Sequence, residues 1–421
     1  MQTTPKGFRL HIGLFGRRNV GKSSLLNALT RQSVSIVSDV AGTTTDPVDK
    51  AMELQPIGPV LFIDTAGIDD VGALGEMRIR RTRQVFDRTD VGIIVTAAGE
   101  WTPFEDAILE ELRSRGIPVI VVFNKVDLAR PDAPLLVRLK ELKLPCVHTA
   151  AKGGEGLPDL REALVCTVPD DFIKTPPIVG DLVPPGELVV LVVPIDMEAP
   201  KGRIILPQVQ TIRDILDHDA YCMVVKEREL QSALDRLKRP PALVVTDSQA
   251  FLEVAATTPD SVPLTSFSIL FARIKGDLGE LVRGTMGINR LKPGDRVLIC
   301  ETCTHHPVEE DIGRVKIPHW LQHYVGGPLE FTHVQGHDFP DDLSPYRLVV
   351  QCGACMGNRR EILSRIVRCR SAGVPMSNYG LTIALSLGIL PRALGQFPAA
   401  LEVYRQHFAP DSATCALKHA S

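Results

Sequence analysis

No run of eighteen apolar residues occurs in the 421-residue sequence, so no segment has the length of a membrane-crossing helix. A dominant charge is missing too: 47 basic residues against 50 acidic ones leave a formal net charge of −3. Proteins whose main partner is nucleic acid usually carry a basic excess or stripe. Neither is present, nor is any basic stretch interleaved with aromatics, so nucleic acid is not an expected partner. No internal repeat at a fixed period and no low-complexity tract is found, which sets repeat architectures aside. Residues Met1 to Gly7 pass almost directly into an amphipathic strand without the apolar core of a signal peptide. The expected location is the cytoplasm.

What is present is ordinary globular material, 44% apolar and 23% charged, in a chain too long for one core. Length alone suggests two to three domains. The nine cysteines are an odd number, and in a reducing cytosol they should be thiols or metal ligands rather than disulfides. Cys146, Cys166, Cys222, Cys369 and Cys415 stand alone, whereas Cys300/Cys303 and Cys352/Cys355 form two Cys-x-x-Cys pairs.

Three segments follow one another. From about Phe8 to Val168, short apolar runs (LHIGLFG, PVLFIDTAG, VGIIVTAA, IPVIVVFNKVD) alternate with helical periodicity. That alternation describes an α/β fold, a mostly parallel sheet with helices on both faces. Residues 169–185, with Pro176-Pro177 and Pro184-Pro185, read as a linker. A smaller α/β pattern over 186–264 runs through ELVVLVVPID, a helix near Gln208–Asp217, AYCMVV and PALVVTDS. It carries no catalytic constellation, and its expected role is association, a dimerisation domain. The third segment, 265–421, is again α/β and contains both Cys-x-x-Cys pairs.

The first segment holds a strong motif. Gly16-Arg-Arg-Asn-Val-Gly21-Lys22-Ser23 fits G-x-x-x-x-G-K-S between a strand and a helix. Its glycines let backbone N–H groups wrap phosphates at a helix N-terminus. Lys22 would contact the β- and γ-phosphates, and Ser23, followed by Ser24, would coordinate Mg²⁺. Asp64-Thr65-Ala66-Gly67 follows a second strand, where a carboxylate reaches Mg²⁺ through water and the Gly67 N–H senses the γ-phosphate. Asn124-Lys125-Val126-Asp127 follows a third. A carboxylate at 127 accepts both N1–H and the N2 amine of guanine, a donor pair adenine lacks. Ala150-Ala151-Lys152 matches the loop that closes over the base. Four elements in this order and spacing specify a GTPase binding GTP, GDP and Mg²⁺.

Gly42-Thr43-Thr44-Thr45-Asp46 resembles switch I of the translation-factor-like GTPases that include Era and the tRNA-modifying MnmE. The resemblance implies that Thr44 is the Mg²⁺ ligand that orders around GTP. Position 68 is Ile, not the glutamine that Ras-type enzymes use to orient water; Glu76 falls where MnmE-like enzymes place a glutamate. Its bland alternative is an exposed acid at a helix start. Asn19 resembles the asparagine of potassium-activated GTPases, in which K⁺ takes the place of an arginine finger.

In the third segment each thiolate pair follows a strand, RVLIC or RLVVQ, and the second precedes the helical NRREILSRIV. Thiolates so placed can point at one metal. Two such pairs commonly hold structural zinc, and three thiolates with a nearby histidine can equally hold an iron–sulfur cluster with a labile fourth site. The run Cys303-Thr-His-His, Asp311-Ile-Gly-Arg-Val-Lys-Ile-Pro, Gly336-His-Asp-Phe-Pro, Cys352-Gly-Ala-Cys-Met-Gly-Asn-Arg-Arg and Gly373-Val-Pro-Met-Ser-Asn-Tyr-Gly resembles the cluster domain of the [FeFe]-hydrogenase maturation GTPases, the HydF family. With PIDMEAPKGRIILPQVQ and the GTPase motifs, that resemblance covers essentially the whole chain. It implies a 4Fe–4S cluster on Cys303, Cys352 and Cys355 with an exchangeable fourth position, His305 being one candidate. It also implies a homodimeric scaffold that receives a diiron precursor and passes it to apo-[FeFe]-hydrogenase, with two radical-SAM maturases as further partners. The sequence departs from the family pattern at Gln351, where a second histidine is expected, and at Cys300, an extra cysteine that reads as a buried strand thiol. His306, His319, His323, His333 and His337 read as surface or hydrogen-bonding histidines. Two alternatives remain: an RNA-associated GTPase of the Era or MnmE kind with structural zinc, and a GTPase-regulated dithiol. If Asn19 serves K⁺, GTP hydrolysis runs faster in K⁺ than in Na⁺ buffer at equal ionic strength; equal rates contradict it.

Overall fold

The computed structural model describes residues 4–31, 48–65, 83–169, 172, 176–194, 204–302 and 311–408. They fall into two units, residues 1–175 and 176–421.

The apolar runs of the first unit become a six-stranded sheet in the order β2-β3-β1-β4-β5-β6. Its strands are β1 (Leu10–Phe15), β2 (Val48–Leu54), β3 (Gly58–Asp64), β4 (Val91–Ala97), β5 (Val119–Asn124) and β6 (Cys146–Thr149). Only β2 runs antiparallel to its neighbour; the other pairings are parallel. β1, β4 and β5 are buried throughout, as unbroken Val/Ile/Leu/Phe runs require when helices cover both faces. On one face Leu10, Ile12 and Leu14 pack with Leu25, Leu26 and Leu29 of the helix Lys22–Arg31, and with Leu157, Leu160 and Leu164 of the helix Leu157–Thr167. On the other, Phe15, Ile94 and Phe123 meet Ile108, Leu109 and Leu112 of the helix Pro103–Ser114. The carboxyl ends of β1, β3 and β5 therefore lie together at one edge, the usual ligand edge of such sheets.

The second unit contains two parallel four-stranded sheets, so both later segments are α/β as expected. One has the order β10-β9-β7-β8, from β7 (Leu188–Val192), β8 (Tyr221–Val225), β9 (Leu243–Thr246) and β10 (Leu264–Ser266). The helix expected near Gln208–Asp217 spans Leu206–Asp217. Its Asp214 carboxylate accepts from the N–H groups of Val179 and Gly180, each at 2.8 Å. The proline-rich segment from Pro176 onward is thereby tied into this unit.

The other sheet has the order β12-β11-β13-β14, from β11 (Arg296–Glu301), β12 (Glu330–Gln335), β13 (Leu348–Gln351) and β14 (Met376–Asn378). β10 and β14 each lead into a helix, Phe267–Lys275 and Tyr379–Ser386, capped by Ser266 and Asn378. Asn378 also bridges the two helix starts: its Nδ2 donates to Ser268 O at 3.1 Å and to Ser268 Oγ at 3.0 Å. Among the described residues, no helix is long and apolar enough to cross a membrane.

Gly284, in the helix Leu278–Thr285, packs so closely on β14 that a Cβ there would stand 2.0 Å from Met376 O. Gly284→Ala should therefore destabilise the second unit by about 1–3 kcal/mol, as forced overpacking does; an unchanged denaturant midpoint contradicts this contact.

Candidate functional site

β1 ends at Phe15 and the chain turns at Gly16 with φ of 144°. A Cβ on Gly16 would sit 2.1 Å from Val95 O, and one on Gly21, at φ of 100°, would sit 2.2 Å from Asn124 Nδ2. Only glycine can occupy either position, which leaves the loop's amides free to face a ligand. Asn19 lies exposed at the loop's tip with φ of 62°. Lys22 is buried, and its ammonium donates to Gly16 O at 2.7 Å and Arg17 O at 2.9 Å, across the mouth of the loop. Ser23 and Ser24 are exposed in the first turn of the helix. The Ser23 hydroxyl donates to Asp64 Oδ2 at 2.6 Å, so the two Mg²⁺-directed groups named from sequence meet. Next to Asp64, Thr65 Oγ1 donates to Leu14 O at 2.6 Å and fixes the end of β3 to β1.

Asn124 is the buried hub of the base side. Its Nδ2 donates to Val20 O at 2.9 Å, and its Oδ1 accepts from Thr149 Oγ1 at 3.1 Å and Ala151 N at 3.2 Å. One side chain thus joins the phosphate loop to the loop expected over the base. Lys125 follows with φ of 62°, and Asp127 and Lys152 are exposed, free to face an incoming base. These residues fit a guanine nucleotide with Mg²⁺. Thr44, Gly67 and Glu76 lie outside the described residues.

Sequence reading missed the anchor of the phosphate loop. Arg17 Nε donates to Glu105 Oε1 at 2.8 Å, and the Glu105 side chain is fully buried. Glu105 Oε2 accepts from Thr102 N at 2.9 Å and Thr102 Oγ1 at 2.6 Å. Thr102-x-x-Glu105 is a visible capping box, but nothing in the sequence pairs it with a residue 88 positions away.

In the second unit, parallel pairing sets Cys300 of β11 beside Gln351 of β13, and Cys352 N donates to Cys300 O at 2.9 Å. Beyond the ladder, donors gather on Cys352 Sγ: Thr302 N at 3.2 Å, Gln351 Nε2 at 3.4 Å and Ala354 N at 3.5 Å, with the Thr302 hydroxyl in hydrogen-bond contact at 3.3 Å. Ala354 takes φ of 53° to make the turn toward Cys355. Both cysteines are half-buried. Burial pushes the Cys355 thiol up to about 11; the nearby Cys352 adds to the rise, while Lys275 and backbone N–H groups oppose it. A metal taking this site must therefore displace a proton. Several donors on one half-buried sulfur are the chemistry of a thiolate ligand.

Cys300 is fully buried within the sheet, and burial pushes it up to about 12. That is the strand thiol expected from sequence. His319 and His323 are exposed, His333 meets Gly313 O at 3.2 Å, and His337 meets Glu361 Oε1 at 3.1 Å. Among the described residues no three metal-ligating side chains cluster. Cys303 and His305 lie outside the described residues; of the expected three-cysteine set, Cys352 and Cys355 are described.

Three family models match the chain: the 50S ribosome-binding GTPase at residues 11–125, the hydrogen maturase F dimerization domain at 178–276 and the hydrogen maturase F tetramerization domain at 279–396. The tRNA modification GTPase MnmE of Synechococcus sp. (strain JA-2-3B'a(2-13)) is 41% identical over 157 residues, 36% of this chain and 32% of that protein. GTPase Der of Wolinella succinogenes is 36% identical over 170 residues, 37% of this chain and 35% of that one. The chain thus spans about a third of the length of the curated relatives it matches. The G domain of the T. maritima FeoB iron transporter is 25% identical, covering 38% of this chain and 99% of that domain at a TM-score of 0.31. The N-terminal unit is a P-loop GTPase domain that binds GTP, GDP and Mg²⁺.

Asp127→Ala removes the acceptor pair for guanine and should weaken GDP binding about a hundredfold, two charge-assisted hydrogen bonds being lost. Melting in the nucleotide-free state should not change, because Asp127 is exposed. Calorimetric titration giving wild-type affinity contradicts the assignment.

Proposed function

Because this chain belongs to the hydrogen maturase F family, we propose that it is a GTP-hydrolysing scaffold that binds a 4Fe–4S cluster and delivers a diiron precursor to apo-[FeFe]-hydrogenase. The observation that carries the cluster part is the contact of Thr302 with Cys352 Sγ through both backbone N–H and hydroxyl. Thr302 directly precedes Cys303 in the chain. A cluster on Cys303, Cys352 and Cys355 would supply one iron corner at which cargo can be exchanged. The chain's own residues hold the sulfurs, shield them by half-burial and stabilise their charge with N–H donors.

In the GTPase part, Lys22 offsets phosphate charge, Ser23 and Asp64 hold Mg²⁺, and Asp127 selects guanine. Thr44 and Glu76 would complete the site, the first on Mg²⁺ and the second on the attacking water, with K⁺ at Asn19. Asn124 ties the base loop to Val20 of the phosphate loop, so base binding and phosphate binding reinforce each other. The nucleotide cycle gates association with partner proteins rather than acting on the cluster. Those partners are the radical-SAM maturases and the hydrogenase, met in the cytoplasm. The family models named for dimerization and tetramerization support self-association through the second unit.

The test is metal analysis of protein prepared without oxygen. Roughly four irons per chain are expected in wild type, and far fewer in Cys352→Ala. Lys22→Ala should lose GTP hydrolysis by at least about a hundredfold, the order of one removed electrostatic contact to a transition state, and keep its iron. A colourless protein with one zinc would contradict the scaffold and favour an RNA-associated GTPase.

A further inference from the structure

Where the resembled family carries a second histidine, this chain has Gln351, and its surroundings permit one orientation only. The side chain is buried at the end of β13. Its Oε1 accepts from Arg365 Nη1 at 2.9 Å, and its Nε2 faces Cys300 O at 3.2 Å and Cys352 Sγ at 3.4 Å. A guanidinium only donates and a carbonyl only accepts, so a flipped amide would set donor against donor and acceptor against acceptor. Arg365 is fixed in turn. Its Nη2 donates to Glu361 Oε1 at 2.8 Å and Gly336 O at 2.9 Å, and its guanidinium lies 5.2 Å from the Phe339 ring centroid. The Arg365 and Glu361 side chains are 3% and 4% exposed, so breaking their pair would strand a buried charge.

We infer that Gln351 is a positioning residue for the thiolate of Cys352: it presents an N–H to the sulfur and turns its one metal-binding atom, Oε1, into Arg365. The inference rests on the cluster reading and deepens it. Replacement of the family histidine exchanges a potential ligand for a hydrogen-bond donor to a ligand. Donors to cluster sulfurs favour the reduced, more negative state. With Thr302 and Ala354 also donating to this sulfur, the chain places its control of the cluster on Cys352.

The experiment compares the full-length protein with Gln351→Leu and Gln351→Glu, each loaded anaerobically, by iron content and EPR-monitored redox titration. Gln351→Leu removes the donor without adding charge, whereas Gln351→Glu keeps the bond to Arg365 but sets an anionic acceptor against Cys300 O and Cys352 Sγ. Should Gln351→Leu fail to fold, the NMR comparison in metal-free protein decides the matter. Iron content is expected to stay at the wild-type value. The equilibrium constant for reduction should fall about tenfold, which is 59 mV for a one-electron couple. An unchanged midpoint with iron retained overturns the inference, and so does loss of iron in a folded variant, which would make Gln351 a ligand. If wild type takes up no cluster, the scaffold reading fails separately. The inference is then decided in metal-free protein by NMR, where the Gln351 side-chain amide should exchange at least tenfold more slowly in wild type than in Cys352→Ala, which removes the sulfur acceptor but keeps the burial and the bond to Cys300 O. Equal exchange overturns it.

Discussion

Parallel pairing of β11 with β13 is the constraint on which the cysteine site depends. The ladder aligns Cys300 with Gln351, and the chains leave it side by side as Thr302 and Cys352. A slip of one residue would point the opposite side chains outward, bury Cys352 and remove the Thr302 contacts. The register is held by the buried runs Val297–Ile299 and Leu348–Val350, whose side chains are 0% exposed, each worth about 1.5–3 kcal/mol of transfer free energy. Ordinary core packing therefore fixes a sulfur to within hydrogen-bond distance of its donors.

The GTPase unit uses the same device. Carboxyl ends of parallel strands in one sheet bring Gly16, Asp64 and Asn124 to one edge, although they are far apart in sequence. Asn124 then turns strand adjacency into a physical link between two loops. Arg17 and buried Glu105 hold the phosphate loop from its other side. The loop is preorganised by backbone shape and buried hydrogen bonds, so little ordering cost remains for the ligand.

Much of this was legible in the sequence. The phosphate loop, Asp64, Asn124 and Asp127 could be named because each motif couples a backbone requirement to a ligand atom at fixed spacing. The three α/β patterns were legible because continuous apolar runs and helical periodicity differ in period. What stayed hidden depends on long-range pairing. Glu105 was not singled out in the sequence, since its partner Arg17 lies in another motif 88 positions away. Gln351 looked like the loss of a ligand, because its amide is fixed by Arg365, 14 residues on in the helix Arg359–Ser371. The linker boundary was hidden for a similar reason: prolines suggest a tether, whereas Asp214 captures the amides at 179 and 180.

The central claim is that sulfurs from β11's end and from the turn after β13 share one iron cube. Iron K-edge X-ray absorption of anaerobically loaded protein tests it most directly. The account predicts a sulfur shell together with an iron–iron scattering shell, the iron–iron shell being lost in Cys352→Ala. A lone metal in a sulfur shell with no metal–metal scattering would contradict it.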